Sequence, residues 1–210
     1  EQAVSQDSIG NGTYAEGPRN IMSHFILTIP SHFSWLQQVV PKATLATSLD
    51  EIQDGGGVLL TFSTGIIVPR NVIERFDAAY NFHAASASYP GRDAHHWAVY
   101  DGVLQYGAVA HWMTERVDDG EIVGSMRFGM VLGATPHEFR EAATNGIRGL
   151  LLTLVPSIFD RPLAPNGESW TGTKRRRGDL IAMCDMRGMD IEERQRRRNA
   201  FQGFEKFFKE

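Results

Sequence analysis

Cysteine is almost absent from this 210-residue chain, and its scarcity excludes several classes of protein. With Cys184 alone, no internal disulfide can form and no cysteine cluster can bind zinc. The chain also lacks a run of about 18 apolar residues, the length of a membrane span, and a charged segment followed by an apolar run of the secretory type. We therefore expect a soluble, cytoplasmic protein without a metal site and without a membrane partner.

Positive charge is not in excess overall, but it is unevenly distributed. The chain holds 21 Lys and Arg against 25 Asp and Glu, and this net charge of −4 argues against general nucleic-acid binding. Residues 171–210 contain 11 of the basic residues and only 7 acidic ones, so the body is acidic and the tail is basic. The run from Lys174 to Arg177 is typical of either a solvated face or a phosphate-binding site.

Length and composition predict one sizeable core with additions at both ends, because 210 residues are 42% hydrophobic. Residues 1–21 are polar and aperiodic, which indicates a disordered leader or an artificial remnant. A strand pattern begins just after Met22. We assign residues 22–165 to the core and residues 166–210 to a basic C-terminal extension.

Strand and helix patterns alternate along the core. Short apolar runs predict strands at residues 24–30, 57–62, 78–83 and 106–113. Helices are expected at residues 31–40 with Ser31 as cap, at 68–76, at 93–102, and from Thr135 to about Pro156. The alternation predicts an α/β fold, a Rossmann-like, mostly parallel sheet with helices on both faces.

Asn81 and His83 stand two residues apart at the end of a predicted buried strand. Residues two apart in a strand point to the same face, so these polar side chains should project together while Phe82 points away. Open α/β sheets bind ligands beyond the carboxyl ends of their strands. The pair therefore marks a candidate site, although two hydrogen-bonded structural side chains would look the same in sequence.

A longer ordered pattern follows this pair. A glycine-containing loop, a strand with a glycine and a histidine, and an Asp-x-Gly turn before a short apolar strand come in that order. The residues concerned are Asn81, His83, Gly91, Gly107, His111, Asp118 and Gly120. This pattern resembles the folate-dependent formyltransferases. Residues 90–102 and the tail over residues 169–180 and 189–205 are most similar to the sugar N-formyltransferases. The resemblance is best over residues 56–125 and makes residues 22–165 the formyltransferase catalytic core.

The resemblance implies a formyl transfer from 10-formyltetrahydrofolate to a primary amine, with Asn81, His83 and Asp118 as catalytic residues. Asn81 and His83 offer N–H donors to a developing oxyanion, and Asp118 would handle the proton of the amine. Asp119 is the alternative carboxylate, but Asp118 stands at the motif position before x-Gly. His111 is expected to support the site or merely to pack.

The resemblance also implies where donor and acceptor bind. The folate site would include the loop after the second strand and residues before Asp118, namely Thr64, Gly65, Ile66, Ile67, Arg116 and Val117. We expect the acceptor to be a nucleotide-linked amino sugar whose phosphates meet Lys174, Arg175 and Arg177. The alternatives are a glycinamide ribonucleotide or methionyl-tRNA type of enzyme, or a degenerate folate-binding paralogue without activity. For the assembly state, a homodimer is the alternative to a monomer.

The chain departs from the family pattern in two places. The family commonly continues after its histidine with Pro-Ser-Leu-Leu-Pro, whereas this chain has Ala84 in place of the first proline and a row of small residues. Fewer residues than usual also lie between Met22 and Asn81. We therefore expect a fold shortened at its N-terminal part, with altered walls of the folate pocket and unchanged chemistry.

Overall fold

The computed structural model describes residues 23–53 and 55–210, and residues 1–21, assigned above to a leader, lie outside that part. One six-stranded sheet runs through the protein in the order β2-β1-β3-β4-β5-β6. Its strands are β1 (His24–Thr28), β2 (Ala43–Ala46), β3 (Val58–Phe62), β4 (Ala78–His83), β5 (Gln105–Trp112) and β6 (Ile122–Gly129).

The helices are α1 (Phe33–Val39), α2 (Arg70–Ile73), α3 (Ala94–Asp101), α4 (Pro136–Ile158), α5 (Arg177–Met183) and α6 (Ile191–Ala200). Helix α4 begins with the expected capping box, in which the Thr135 hydroxyl and the Glu138 carboxylate each accept from the other residue's backbone amide. No helix in the described part of the chain is long and apolar enough to cross a membrane.

Strands β1 to β4 are parallel to one another, and β5 and β6 complete the sheet in antiparallel fashion. The prediction of a mostly parallel α/β sheet is therefore confirmed. Among the described residues between β2 and β3, the only regular element is a three-residue 3-10 turn, Leu49–Glu51, where a helix commonly stands. This brief connection agrees with the expected shortening of the N-terminal part.

Both faces of the sheet are covered, because strands buried on both sides carry apolar residues at successive positions. On one face, Ile26, Leu60 and Phe82 pack against residues of α1 and α4. On the other, Leu27, Leu59 and Ala79 pack against the loops around α2. The alternation along β4 thus sends Phe82 into the first core, while Asn81 and His83 emerge on the opposite side.

Four details differ from the sequence predictions. The helix expected at residues 68–76 is only the four-residue α2, Arg70–Ile73. Ser31 does not cap α1, because it lies within a preceding 3-10 turn and the cap position is His32. Helix α4 continues two residues beyond Pro156, which stands in its last turn. Strand β2 was not predicted, since its four residues are only partly buried at the edge of the sheet and show no long apolar run.

The C-terminal region packs on the core. Phe201 and Leu180 form a buried cluster with Trp97 of α3, and Trp97 lies nearly perpendicular to Phe201 with ring centroids 5.4 Å apart. Helix α6 therefore rests on α3, and the extension contributes to the walls around the candidate site.

Candidate active site

A cleft of about 900 Å³ opens where β3 and β4 end and where the turn before β6 begins. Asn81, His83, His111 and Asp118 all line it. The three non-glycine residues of the described chain that have a left-handed backbone, Ser63, Asp93 and Asp118, line it too. Because such conformations cost free energy and cluster at functional sites, they mark this cleft as the candidate active site.

The structure brings the three predicted catalytic side chains together. His83 Nδ1 lies 3.6 Å from Asp118 Oδ2, and Asn81 Nδ2 lies 3.4 Å from Asp118 Oδ1. Asn81 and His83 share one face of β4, while Asp118 reaches them from the turn between β5 and β6. The contact between His83 and Asp118 is longer than a normal hydrogen bond, so a small shift or one water can join them.

The amide of Asn81 is held in one orientation. Its Oδ1 accepts a hydrogen bond of 2.6 Å from the Thr61 hydroxyl on β3, and its Nδ2 lies 3.0 Å from His111 Nε2. His111 Nδ1 is 2.8 Å from the backbone carbonyl of the next residue and must donate to it, because a carbonyl only accepts. While His111 is neutral, its Nε2 accepts one amide proton of Asn81; once His111 is protonated, the same nitrogen faces Asp118 Oδ1 at 3.4 Å. The other amide proton of Asn81 points to Asp118 Oδ1 at 3.4 Å, a weak contact that a ligand oxygen can replace.

His83 has a defined tautomer for the same reason. Its Nε2 lies 2.9 Å from the backbone carbonyl of Tyr89, so this nitrogen carries a proton and donates it to the carbonyl. Nδ1 is consequently the nitrogen that faces Asp118. Any proton that His83 exchanges with a ligand or with Asp118 must pass through Nδ1.

Asp118 is an ionised carboxylate in a buried place, with 4% of the residue exposed. Burial alone would raise the pKa of Asp118, but attraction to His83, interaction with His111 and the Gly91 amide, which donates at 2.7 Å, outweigh it and lower the pKa to about 2. The carboxylate therefore keeps its charge at neutral pH.

The neighbouring Asp119 has a different setting. Its side chain is about half exposed, and its oxygens lie 3.9 Å from Lys174 Nζ and from an Arg116 guanidinium nitrogen. It is not among the residues that line the cleft. These placements favour Asp118 as the carboxylate of the site.

One side of the cleft, which we call the basic arm, is formed by the starts of α3, α4 and α5. It consists of Arg92, His95, His137, Arg140 and Arg177, and the carboxylates of Asp93 and Glu141 line the same side, Glu141 at 3.4 Å from His137. Arg177 forms a two-point ion pair with Asp93, at 2.5 and 2.6 Å, whereas no ion pair within the described chain involves Arg92 or Arg140. The unpaired positive charge of this arm therefore resides on Arg92 and Arg140.

The three basic residues predicted to meet phosphates are placed differently from one another. Arg177 lines the cleft, but Lys174 and Arg175 do not. The Arg175 guanidinium stacks 4.2 Å above the Trp97 ring and lies 3.6 Å from Asp101, because α3 offers both an aromatic face and a carboxylate there. The prediction missed His137 and Arg140, although their spacing on the first turns of α4 is the polar stripe that faces a site.

Comparison with known proteins decides the family. Residues 32–145, just over half of the chain, match the sequence model of the formyl transferase family. The chain belongs to that family. The matched segment includes Asn81, His83, His111 and Asp118 and ends within α4. The family resemblance inferred from the sequence is thereby confirmed.

Solved structures share the fold of this formyl transferase. A Mycobacterium tuberculosis protein suggested to be a sugar N-formyltransferase aligns with a TM-score of 0.71 and 15% identity, over 87% of this chain and 88% of its own. A sugar N-formyltransferase from a Shewanella species gives 0.68 and 14%, over 84% and 86%. The formyltransferase PseJ from Anoxybacillus kamchatkensis, solved with a UDP-linked formamido sugar and tetrahydrofolate, gives 0.64 and 19%, over 76% and 89%.

The other side of the cleft in this formyl transferase is apolar, and we call it the apolar arm. It consists of Ile66, Ile67, Val68, Met113 and Val117. Ile67 and Val117 are 67% and 41% exposed, so the apolar arm presents large aliphatic side chains to the open cleft. All six residues predicted for the folate lie in this cleft, namely Thr64, Gly65, Ile66, Ile67, Arg116 and Val117.

Proposed function

We propose that the protein transfers a formyl group from 10-formyltetrahydrofolate to the primary amine of a nucleotide-linked amino sugar. The observation that carries this proposal is the meeting of Asn81, His83 and Asp118 in a cleft with one apolar and one basic arm. The apolar arm suits the pterin ring of the donor, and the basic arm suits an acceptor that carries phosphates.

The side chains can act on both charges that develop during formyl transfer. As the amine attacks the formyl carbon, negative charge grows on the formyl oxygen and positive charge on the amine nitrogen. Asn81 Nδ2 can donate to that oxygen, and so can His83 Nδ1 when it is protonated. Asp118 stabilises the positive charge, because its carboxylate is ionised at neutral pH.

Proton transfer completes the reaction. The new bond joins the amine nitrogen to the formyl carbon, and the bond from that carbon to N10 of the folate breaks. The amine proton passes to Asp118, directly or through one water, and then to the departing N10, so no proton is gained or lost overall. A carboxyl group whose pKa is about 2 gives this proton up readily, which suits a carrier.

The basic arm supports an acceptor with a phosphate handle. Arg140 and Arg92 point to no carboxylate partner in the described chain, whereas most of the protein is acidic and would repel a phosphate. Two solved relatives were crystallised with nucleotide-linked sugars, the PseJ enzyme with a UDP sugar and the Helicobacter canadensis enzyme with dTDP-3-aminofucose. These observations favour a nucleotide-linked amino sugar over methionyl-tRNA as the acceptor.

A formylation assay tests this function. Wild-type protein is incubated with 10-formyltetrahydrofolate and a panel of acceptors that includes nucleotide-linked amino sugars, glycinamide ribonucleotide and methionyl-tRNA. We expect one amino sugar to gain the mass of one formyl group, and Asp118→Asn to slow this gain by ~100-fold or more. Formylation of glycinamide ribonucleotide or of the tRNA alone would move the acceptor to that class. No transfer, together with thermal stabilisation by a folate analogue, would identify a binding protein without activity.

A further inference from the structure

The C-terminal segment Asn166–Arg175, which we call the strap, crosses close behind the candidate catalytic residues. It lies outside the residues that match the family. At its start, the Asn166 amide donates to the Ile122 carbonyl of β6 at 2.8 Å, and at its end the Arg175 carbonyl accepts from the Arg92 amide at 3.0 Å. The strap is therefore bonded to both sides of the site.

Trp170 in the strap contacts three parts of the site with one side chain. Its ring lies edge-on to His83 and to His111, with centroids 5.7 and 5.1 Å apart, and its Nε1 donates to the Gly120 carbonyl at 2.9 Å. Gly120 belongs to the turn that carries Asp118. The indole thus fixes the distance between that turn and the two imidazoles, without lining the cleft itself.

The strap also holds the loop between β4 and α3. The Thr171 amide donates to the Ala87 carbonyl at 3.1 Å, and the hydroxyls of Thr171 and Ser88 lie 3.1 Å apart. At Gly172 the approach is so close that a Cβ would stand 1.7 Å from the Ser88 carbonyl oxygen. Only glycine fits there, so the loop and the strap fit together in one register.

This loop supplies two of the contacts that orient the catalytic side chains. The Tyr89 carbonyl accepts from His83 Nε2, and the Gly91 amide donates to Asp118 Oδ2. Residues 84–88 are Ala-Ala-Ser-Ala-Ser, and Ala85 and Ala87 anchor the loop in apolar clusters. The strap adds hydrogen bonds at Ala87 and Ser88, and so it helps to fix the part of the loop that leads to Tyr89 and Gly91.

We infer that Trp170 is a positioning residue for the transfer reaction, and that it acts through His83, His111 and the turn bearing Asp118. The inference rests on the proposed function insofar as those residues are catalytic. Misplacement of a catalytic group by about 1 Å can cost up to ~100-fold in rate. Removal of the indole should therefore lower kcat and leave the Michaelis constant for the folate donor nearly unchanged, because the cleft walls remain.

Trp170→Phe tests this with Trp112→Phe as its matched control. Both tryptophans donate Nε1 to a backbone carbonyl, Trp170 to Gly120 at 2.9 Å and Trp112 to Leu163 at 3.2 Å, but the Trp112 side chain packs on Tyr80 in the core on the other face. Each variant loses one hydrogen bond of its side chain, so Tm should fall by a similar few degrees in both. We expect roughly 10-fold lower kcat, an altered pH profile and an unchanged donor constant for Trp170→Phe alone. Equal kcat for the two variants would overturn the inference.

A readout without turnover separates this inference from the proposed function. The imidazole signals of His83 and His111 are titrated by NMR in wild type, Trp170→Phe and Trp112→Phe. Shifted titration midpoints for both histidines in Trp170→Phe alone support positioning by Trp170, even if no acceptor is formylated. Identical midpoints in all three proteins would refute it, even if formyl transfer is demonstrated. Gly172→Ala should shift the His83 titration midpoint as Trp170→Phe does. An unchanged His83 signal in Gly172→Ala would contradict the inference that the strap positions His83.

Discussion

Replacement of Asp118 by asparagine is the most informative perturbation of the site. The side chain keeps its size but loses its charge and one of its two acceptor oxygens. One oxygen now accepts from the Gly91 amide at 2.7 Å and the other faces Asn81 Nδ2 at 3.4 Å. An amide must turn its NH₂ toward one of these donors, so the variant loses a hydrogen bond as well as a charge.

The cost in stability follows from the pKa of Asp118. The surroundings lower that pKa from 3.8 to about 2, which corresponds to about 2 kcal/mol in favour of the buried carboxylate. For a chain of this size, 2 kcal/mol lowers Tm by about 4–8 °C. The folded variant therefore remains available for kinetics at moderate temperature.

The cost in rate should be larger. Positioned proton transfer contributes about 100- to 10,000-fold to enzymatic rates, so we expect Asp118→Asn to lower kcat by ~100-fold or more. Binding of the folate should stay nearly intact, as judged by thermal stabilisation with a folate analogue. Asp119→Asn is the matched control, since its carboxylate lies outside the cleft. An unchanged rate in Asp118→Asn combined with a lost rate in Asp119→Asn would refute the assignment.

Three further predictions concern other parts of the cleft. Asn81→Ala should reduce kcat by roughly 100- to 1,000-fold in steady-state assays, because one oxyanion donor is lost, and a change in Michaelis constant alone would contradict this. Arg140→Ala should raise the Michaelis constant for the nucleotide sugar much more than for the folate, an effect that salt weakens; Arg187→Ala, remote from the cleft, should have no effect. Burial, followed by repulsion from His96 and Arg140, lowers the pKa of His95 to about 3. Below about pH 6.5 the unfolded chain takes up a proton at His95 that the folded protein does not, so stability should fall as the pH drops. His95→Gln should reduce this fall, as measured by Tm.

The sequence predicted most of what depends on local pattern. The two-residue period of β4 placed Asn81 and His83 on one face. That Asp118 lies near them was implied by the resemblance to the formyltransferases and not by local spacing. The capping box of α4 was equally predictable, because its partners are three residues apart. Local spacing of this kind is a property of the chain itself and needs no knowledge of tertiary contacts.

The remaining features depend on contacts between distant parts of the chain. Arg175 lies away from the cleft because Trp97 and Asp101, more than 70 positions earlier, attract its guanidinium. Trp170 also contacts His83 and His111, which are far from it in the sequence, and no periodicity of the sequence predicts such long-range contacts. The basic C-terminal extension therefore contributes Arg177 to the cleft lining and Trp170 to the contacts behind His83 and His111.

Transfer of a labelled formyl group is the decisive test of the proposed reaction. 10-Formyltetrahydrofolate carrying ¹³C in its formyl group is mixed with the protein and a nucleotide-linked amino sugar, and the label is followed by NMR. We expect the label to appear as a formamide on the sugar with wild-type protein, and at least ~100-fold more slowly with Asp118→Asn. Label that stays on the folate, or that leaves it only as free formate at equal rates in both proteins, would contradict formyl transfer by Asp118.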